Sequence, residues 1–198
     1  MLHRGGPRSR VAAEKRAHVM REIVETLIFV ALVFVISQFA IGSFTVVDTS
    51  MGPQLQPSQW IVVNKWAYLF NGATRGDVVV YHNPSNLDQR LVARVIAVPG
   101  DTVTVTPTQV IVDGVALQEP YVTIPAGSLE NATVVSNLKL GANMYFVLND
   151  SRLATTDSRT FGPVPRSDIV GQASVVFWPL KDIHGISTYH NVFNGISH

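Results

Sequence analysis

Two patterns of hydrophobic and polar positions divide this chain near residue 42. Residues 23–41 read IVETLIFVALVFVISQFAI, an apolar run in which Glu25 is the one charged residue. A helix of about 20 apolar residues spans the ~30 Å hydrocarbon layer of a bilayer, since each residue adds about 1.5 Å. The run therefore predicts a transmembrane anchor helix over residues 23–41.

The charges that precede the apolar run set its expected orientation. The basic ones are Arg4, Arg8, Arg10, Lys15, Arg16 and Arg21, and the acidic ones are Glu14 and Glu22. Because basic flanks stay on the cytoplasmic side, residues 1–22 are predicted to be cytoplasmic and the rest extracytoplasmic. A cleavable signal peptide is the competing interpretation, because Ala40 and Gly42 form a small-x-small pattern. Its apolar core, however, typically spans only about 7 to 15 residues.

From Phe44 onward the pattern changes to short β-branched runs separated by Gly, Pro and Asn, which is typical of an all-β domain. The predicted strands are FTVV, WIVVNK, DVVVYH, RLVARVIAV, TVTVT, QVIVDG, MYFVLN and ASVVFW. The segment from Pro120 to Gly141 is predicted to be a loop, because its pattern is mixed and rich in Ser, Asn and Thr. We therefore expect a β domain over residues 42–183 and a loose tail over residues 184–198.

The composition excludes several classes of function. Among 198 residues the net charge is +1 and charged residues make up 15%, which gives no basic face for nucleic acid. The chain has no cysteine, so it has neither disulfides nor thiolate metal ligands. Its six histidines include no pair at the helical spacing of metal ligands. We predict no metal, no cofactor and no nucleic-acid partner.

One short stretch, VVDTSMGPQL, points to chemistry. Its Ser50 stands between an apolar run and a Gly-Pro turn. A serine held where a strand leaves the bilayer is placed to meet a substrate at the membrane surface, because Gly52 and Pro53 fix a turn that exposes its hydroxyl. Taken alone, the stretch favours an ordinary turn residue.

Four segments follow the apolar run in order. They are Ser-Met-x-Pro-x-Leu at residues 50–55, RGDVVVY, ARVIAVPGD and NDSRLATTDSRTFGPV. In this order and spacing they resemble the type I signal peptidases, membrane-anchored serine proteases that remove signal peptides from exported preproteins after small-x-small sites. The resemblance implies a mainly β fold of coiled antiparallel sheets behind a transmembrane helix in the cell membrane. It also implies signal peptides and the lipid bilayer as partners.

The resemblance assigns the nucleophile to Ser50 and the general base to a neutral lysine, for which this chain has Ala93. A methyl group accepts no proton. Arg94 is no replacement, because it points to the opposite face of a strand and stays protonated. Lys65 matches a family lysine outside the catalytic pair. Loss of the base costs on the order of 10⁴ to 10⁶ in turnover, so the chain is expected to be nearly inactive.

The resemblance also assigns the groups around the reacting pair. The oxyanion donors are the backbone N–H of Ser50 and a donor from Asp48, whose carboxylate is expected to repel an oxyanion unless it turns away. The supporting residues are Thr155, whose hydroxyl touches the lysine position, Asp157 and Arg159 as an ion pair, and Asp150 with Arg152 in the same loop.

Substrate binding is predicted at two strands. An extended peptide is expected to add beside FTVVD and RLVA, where its backbone forms hydrogen bonds. Shallow pockets for small side chains are assigned to Phe44, Val46, Leu91 and Val92. The alternative for each of these four residues is ordinary core packing.

Three interpretations of the altered site stay open. Ala93 is either an engineered change in a signal peptidase or the mark of a natural noncatalytic relative that binds or presents exported or pilin-like proteins. Asn149, Ser151 and Ala97 also depart from the family pattern, which favours the second interpretation, whereas the retained Ser50 favours the first. A self-processing regulator of the related Ser/Lys clan is the third, and the predicted anchor argues against it.

Overall fold

The computed structural model describes residues 7–122 and 133–196. The chain forms two units that divide between Ala40 and Ile41. The first unit contains one helix, α1 (Pro7–Ala40). Among the residues that the structure describes, no helix combines the length and the apolar character needed to cross a membrane.

The second unit is mainly β, as the spacing of the β-branched runs predicts. Its strands are β1 (Ile41–Thr45), β2 (Trp60–Asn64), β3 (Val78–Asn83), β4 (Asn86–Ala97), β5 (Thr102–Val105), β6 (Val110–Val112), β7 (Val115–Ala116), β8 (Val135–Lys139), β9 (Met144–Leu148), β10 (Val164–Pro165), β11 (Ile169–Trp178) and β12 (His184–Gly185). A short helix, α2 (Ser158–Phe161), and 3₁₀ turns at Arg166–Asp168, Leu180–Asp182 and His190–Phe193 complete the described elements.

The strands form two antiparallel sheets. The larger has the order β1, β2, β11, β3, β4, β9, β10, and β12 pairs with β11. The smaller has the order β7, β6, β5, β8. Every described pairing is antiparallel, which confirms the predicted sheet type.

Strand β4 contributes residues to three buried apolar clusters. Successive side chains of a strand point to opposite faces, so neighbouring residues of β4 belong to different clusters. The Ala93 cluster consists of Ala73, Val79, Tyr81, Leu91, Ala93, Val95, Val98, Tyr145, Val147 and Val164. The Val92 cluster consists of Val46, Met51, Leu55, Ile61, Val63, Val78, Val80, Val92, Ala173, Val176 and Ile186. The Ile96 cluster, which includes Phe146, Leu148, Phe193 and Ile196, lies against the smaller sheet. Ala93 and Arg94 therefore face different parts of the interior.

One strand lies inside the predicted loop from Pro120 to Gly141. Strand β8 pairs with β5 at the edge of the smaller sheet, and its residues are mostly exposed. An edge strand with little buried surface needs no apolar alternation, so the sequence pattern did not reveal it. Residues 123–132 of the same segment lie outside the described residues.

The prediction of a loose tail over residues 184–198 is wrong for its described part. Strand β12 pairs with β11, and the side chains of Ile186, Phe193 and Ile196 are buried. These apolar residues follow no helical or strand period: Ile186 joins the Val92 cluster, and Phe193 and Ile196 join the Ile96 cluster. The tail therefore contributes to the core.

Candidate active site

A tight turn carries Ser50 beyond the end of β1. The N–H of Gly52 donates to the carbonyl of Thr49 at 3.0 Å, and the N–H of Leu55 donates to the carbonyl of Met51 at 3.0 Å. Met51 and Leu55 are fully buried in the Val92 cluster. These two apolar side chains anchor the turn, and Ser50 between them and β1 is only 4% exposed.

The carboxylate of Asp48 holds the backbone of Ser50. The N–H of Ser50 donates to Asp48 Oδ1 at 2.9 Å, and the carbonyl of Ser50 accepts from the N–H of Ser151 at 2.9 Å. The N–H that the resemblance assigns to an oxyanion therefore already has an acceptor. The Asp48 carboxylate has not turned away, and an oxyanion at this point has to displace a negatively charged group.

Ala93 lies in a buried cluster of mostly aliphatic side chains. Its side chain is 0% exposed, and Tyr81 from the neighbouring strand belongs to the same cluster. Burial, with the negative charges of Asp157 and Asp48 acting in the same direction, raises the pKa of Tyr81 above its ordinary value. Tyr81 therefore stays protonated at neutral pH and does not replace a lysine base. Both carboxylates act on the Tyr81 hydroxyl, so Asp48 of the Ser50 turn and Asp157 of the following loop both lie near β3.

Other basic side chains do not serve Ser50. Among the described residues, no lysine or histidine forms a hydrogen bond with the Ser50 hydroxyl. Lys65 lies beside the start of β1, at the opposite end from Ser50. A Cβ added to Gly42 would come within 2.9 Å of Lys65 Cε. His184 faces the carbonyl of Gln54 with Nε2 at 3.1 Å. Neither Lys65 nor His184 therefore has a described contact with Ser50.

Arg94 forms a buried network on the other face of β4. Its guanidinium donates to Asp150 Oδ1 and Oδ2 at 2.9 and 2.7 Å. It also donates to Gln54 Oε1 at 2.9 Å and lies over the ring of Tyr121 at 4.3 Å. Burial raises the pKa of Asp150, while the hydrogen bonds and charge of Arg94 act against that rise. The network joins the Ser50 turn, through Gln54, to the loop that follows β9.

The loop after β9 is closed around Asp157. The fully buried carboxylate of Asp157 forms an ion pair with Arg159 at 2.7 Å. It also accepts the N–H of Asn149 at 3.1 Å and the N–H of Arg159 at 3.0 Å, so that it caps the start of α2. This carboxylate thereby fixes both ends of the loop.

Two of the predicted supporting residues each form an ion pair with a residue from another segment. Asp150 binds Arg94, and Arg152 binds Glu119 at 2.6 Å, so the two do not pair with each other. Their side chains diverge because Asp150 follows the Arg94 face of the sheet. Thr155 is exposed, and among the described residues its hydroxyl has no hydrogen-bond partner.

The four predicted pocket residues divide between two clusters. Val46 and Val92 belong to the Val92 cluster, and Phe44 packs against it, whereas Leu91 belongs to the Ala93 cluster. The cause is the alternation of side chains along β4. The four residues do not line one surface, although the strands that carry them each keep an edge without a described partner: β1 pairs only with β2, and residues 86–92 pair only with β3.

The sequence did not single out Tyr81, Gln54 or Tyr121 as site residues. Tyr81 ends the RGDVVVY segment and Gln54 is a variable position of the 50–55 segment, whereas Tyr121 lies in no quoted motif. Asn149 did carry a signal, since it departs from the family pattern. A groove of about 600 Å³ lies beside Gln54 and Tyr121, and Ser50 is not among its lining residues.

Known proteins resemble this chain along most of its length. A family model described as signal peptidase, peptidase S26, matches residues 19–178. A signal peptidase IB from Staphylococcus aureus (strain COL) is 34% identical over 180 residues, which cover 82% of this chain and 93% of that protein. A signal peptidase I from Leptolyngbya laminosa is 35% identical over 160 residues, 77% of this chain and 76% of that one. The crystal structure of a signal peptidase I from Enterococcus faecalis has a TM-score of 0.45 and 30% identity, and the match covers 52% of this chain and 97% of that one.

Proposed function

This chain belongs to the signal peptidase family, peptidase S26, and from that premise we propose that it binds signal peptides of exported preproteins beside Ser50 without cleaving them at an appreciable rate. The observation that carries the proposal is the state of Ser50. No described lysine or histidine forms a hydrogen bond with its hydroxyl, and Asp48 holds its N–H. A serine peptidase needs both a base for the hydroxyl and a free donor for the oxyanion.

Ser50 keeps the position of a nucleophile in this proposal, and Ala93 marks the missing base. The hydroxyl group has an ordinary pKa far above 7 and attacks a peptide carbonyl only when a base removes its proton. Loss of that base lowers turnover by about 10⁴ to 10⁶. The chain is then a noncatalytic member that holds or presents exported or pilin-like proteins.

Two unpaired strand edges support peptide binding. β1 and residues 86–92 of β4 each present backbone groups that no described strand uses. A signal peptide in an extended conformation adds to such an edge through main-chain hydrogen bonds. The residues that were expected to line the pockets, Val46, Leu91 and Val92, are buried and do not share one surface, so the main-chain edges carry the proposal.

The proposal includes a single-pass membrane topology with the N-terminus in the cytoplasm and the β unit outside. The apolar run over residues 23–41 and the basic residues before it support this topology. In sealed inside-out vesicles, protease is expected to remove the basic N-terminal segment and to spare the β unit. Extraction of the chain by alkaline carbonate would contradict the anchor.

A binding assay tests the function directly. The full chain in detergent is mixed with a labelled peptide that ends its signal sequence in Ala-x-Ala, and with a control peptide that has Phe at both alanine positions. We expect a complex with the first peptide only, no cleavage product, and the same result for Ser50→Ala. Equal affinity for both peptides, or a product that Ser50→Ala abolishes, would contradict a noncatalytic binder.

The second candidate is a peptidase that lost activity through position 93 alone. The buried Ser50 turn and the Asp157–Arg159 ion pair favour it, because both support a working site. The variant Ala93→Lys then cleaves the Ala-x-Ala substrate, and the further variant Ser50→Ala abolishes that cleavage. Continued inactivity of Ala93→Lys counts against a loss through position 93 alone.

A further inference from the structure

Asn149 carries an unexplained polar atom in the interior. Its side-chain Oδ1 is buried and has no hydrogen-bond partner among the described residues, and the residue is 1% exposed. The amide Nδ2 donates to Thr156 Oγ1 at 3.5 Å. A buried acceptor without a donor is unfavourable, so the presence of this side chain calls for a physical reason.

The register of β4 and β9, continued one residue past its last pair, puts Asn149 next to Ala93. Strand β4 pairs with β9 so that Arg94 lies opposite Leu148 and Val95 lies opposite Val147. One further step brings residue 149 beside residue 93. Opposite residues of an antiparallel pair project to the same face. Val95 and Val147 belong to the Ala93 cluster, so the Asn149 side chain lies on the Ala93 side of the sheet.

The space around Ala93 is already filled from several directions. Ala93 is fully buried. Tyr81 packs in its cluster, and the Tyr81 hydroxyl donates to the carbonyl of Thr156 at 3.4 Å. Thr156 thus contacts both Tyr81 and Asn149, which closes the cluster toward the loop. A long side chain at position 93 has to displace one of these groups, and packed interiors tolerate added volume poorly.

We propose that Asn149 and Ala93 form one packing unit, in which the Asn149 amide occupies the space that an amine at position 93 needs to reach Ser50. Asn149 is a positioning residue in this sense: it acts on catalysis only through the side chain at position 93. The inference deepens the proposed function and rests on it. Restoring the base therefore takes two substitutions, Ala93→Lys together with Asn149→Gly.

Turnover of four proteins gives the first test. The parent chain, Ala93→Lys, Asn149→Gly and the double variant are assayed on a preprotein with an Ala-x-Ala site, each with and without Ser50→Ala. We expect no Ser50-dependent product from the parent or from Asn149→Gly. The double variant is expected to exceed Ala93→Lys at least tenfold. Equal and measurable turnover of Ala93→Lys and the double variant would overturn the inference.

Thermal unfolding of the same proteins gives a readout that does not depend on catalysis. If the two side chains compete for space, Ala93→Lys lowers Tm strongly when residue 149 is asparagine and weakly when residue 149 is glycine. Asn143→Gly is the matched control, because Asn143 is exposed and has a φ of 63° that glycine adopts freely. We expect Ala93→Lys to lower Tm equally with and without Asn143→Gly.

The two readouts separate the inference from the proposed function. If the Tm effects of the two substitutions are coupled but the double variant has no turnover, the packing unit is supported. That result would count against the idea that a lysine at position 93 restores catalysis. Additive Tm values, in which Asn149→Gly changes Tm by the same amount with either residue at position 93, would overturn the inference whatever the turnover.

Discussion

Adjacent residues of β4 face two interiors of opposite character. On one side, Arg94 is fully buried and donates to Asp150, Gln54 and backbone carbonyls. On the other, Ala93 presents a methyl group to an apolar cluster, beside an Asn149 oxygen that lacks a donor. Among the described residues, the buried polar side-chain atoms around Arg94 have partners, whereas Oδ1 of Asn149 has none.

The contrast separates the support of the site from its chemistry. Gln54 belongs to the Ser50 turn and Asp150 to the loop after β9, and Arg94 binds both. Nothing in that network passes through the side chain at position 93. The contacts that join the Ser50 turn to Arg94 therefore do not involve the side chain at position 93.

Removal of the Arg94 side chain is expected to have the largest effect. Arg94→Met leaves the carboxylate of Asp150 buried without its partner, which costs about 3–5 kcal/mol in free energy of unfolding. Arg90→Met on the same strand is the control, because Arg90 is exposed, and we expect it to change stability by less than about 0.5 kcal/mol. Urea unfolding of the two variants measures both. Similar values for the two would remove the distinction between the faces of β4.

Removal of the Asp48 carboxylate is expected to raise the cleavage rate of the double variant. In the Ala93→Lys/Asn149→Gly background, Asp48→Ala frees the N–H of Ser50, and one oxyanion donor is worth about 10²- to 10³-fold in kcat. Asp88→Ala removes an exposed carboxylate as a control for charge. Single-turnover cleavage is the measurement. If both alanine variants cleave at the same rate, the Asp48 contact does not limit the reaction.

Two hydroxyl groups of the loop after β9 test which positions support structure. The buried Ser158 Oγ accepts the N–H of Val147 at 3.0 Å, so Ser158→Ala is expected to cost about 1–3 kcal/mol. Thr155 is exposed, and Thr155→Ala is expected to stay within about 0.5 kcal/mol. Chemical unfolding compares them. A larger loss for Thr155→Ala would show that the threonine supports the fold after all.

Alkaline pH is expected to weaken both faces to a similar extent. Burial raises the pKa of Tyr81 on the Ala93 side and of Tyr121 on the Arg94 side. Both tyrosines stay protonated in the folded chain and release protons on unfolding, so stability is intact below pH ~10 and falls above it. The loss is up to about 1.4 kcal/mol per pH unit for each tyrosine.

Unfolding between pH 9 and pH 11 measures that slope. Tyr81→Phe and Tyr121→Phe are each expected to reduce it by a similar amount relative to the parent chain. A reduction for only one of them would make the alkaline response a property of one face. Trp66→Phe, a change at an exposed position, is the control and is expected to leave the slope unchanged.

The sequence predicted the parts of the molecule that depend on local pattern. Period-two runs located most strands, and the segment order led to Ser50 and Ala93. It did not predict the partners of charged groups: Arg94 and Asp150 are 56 residues apart, and Asp48 Oδ1 could not be assigned to the N–H of Ser50 from spacing alone. Such choices depend on how distant segments meet. The same holds for Phe193, which no periodic pattern marked but which is buried.

The partners of Arg94 also bear on the order in which the polypeptide acquires its shape. Its acceptors include Gln54, Asp150 and the carbonyls of Ser187 and Thr188, the last of them 94 residues further along the chain. During synthesis, the guanidinium lacks two of these acceptors until residue 188 has left the ribosome. Contacts of such long range also slow folding. We therefore expect the nascent chain to present an incompletely paired Arg94 until the segment with Ser187 and Thr188 has emerged.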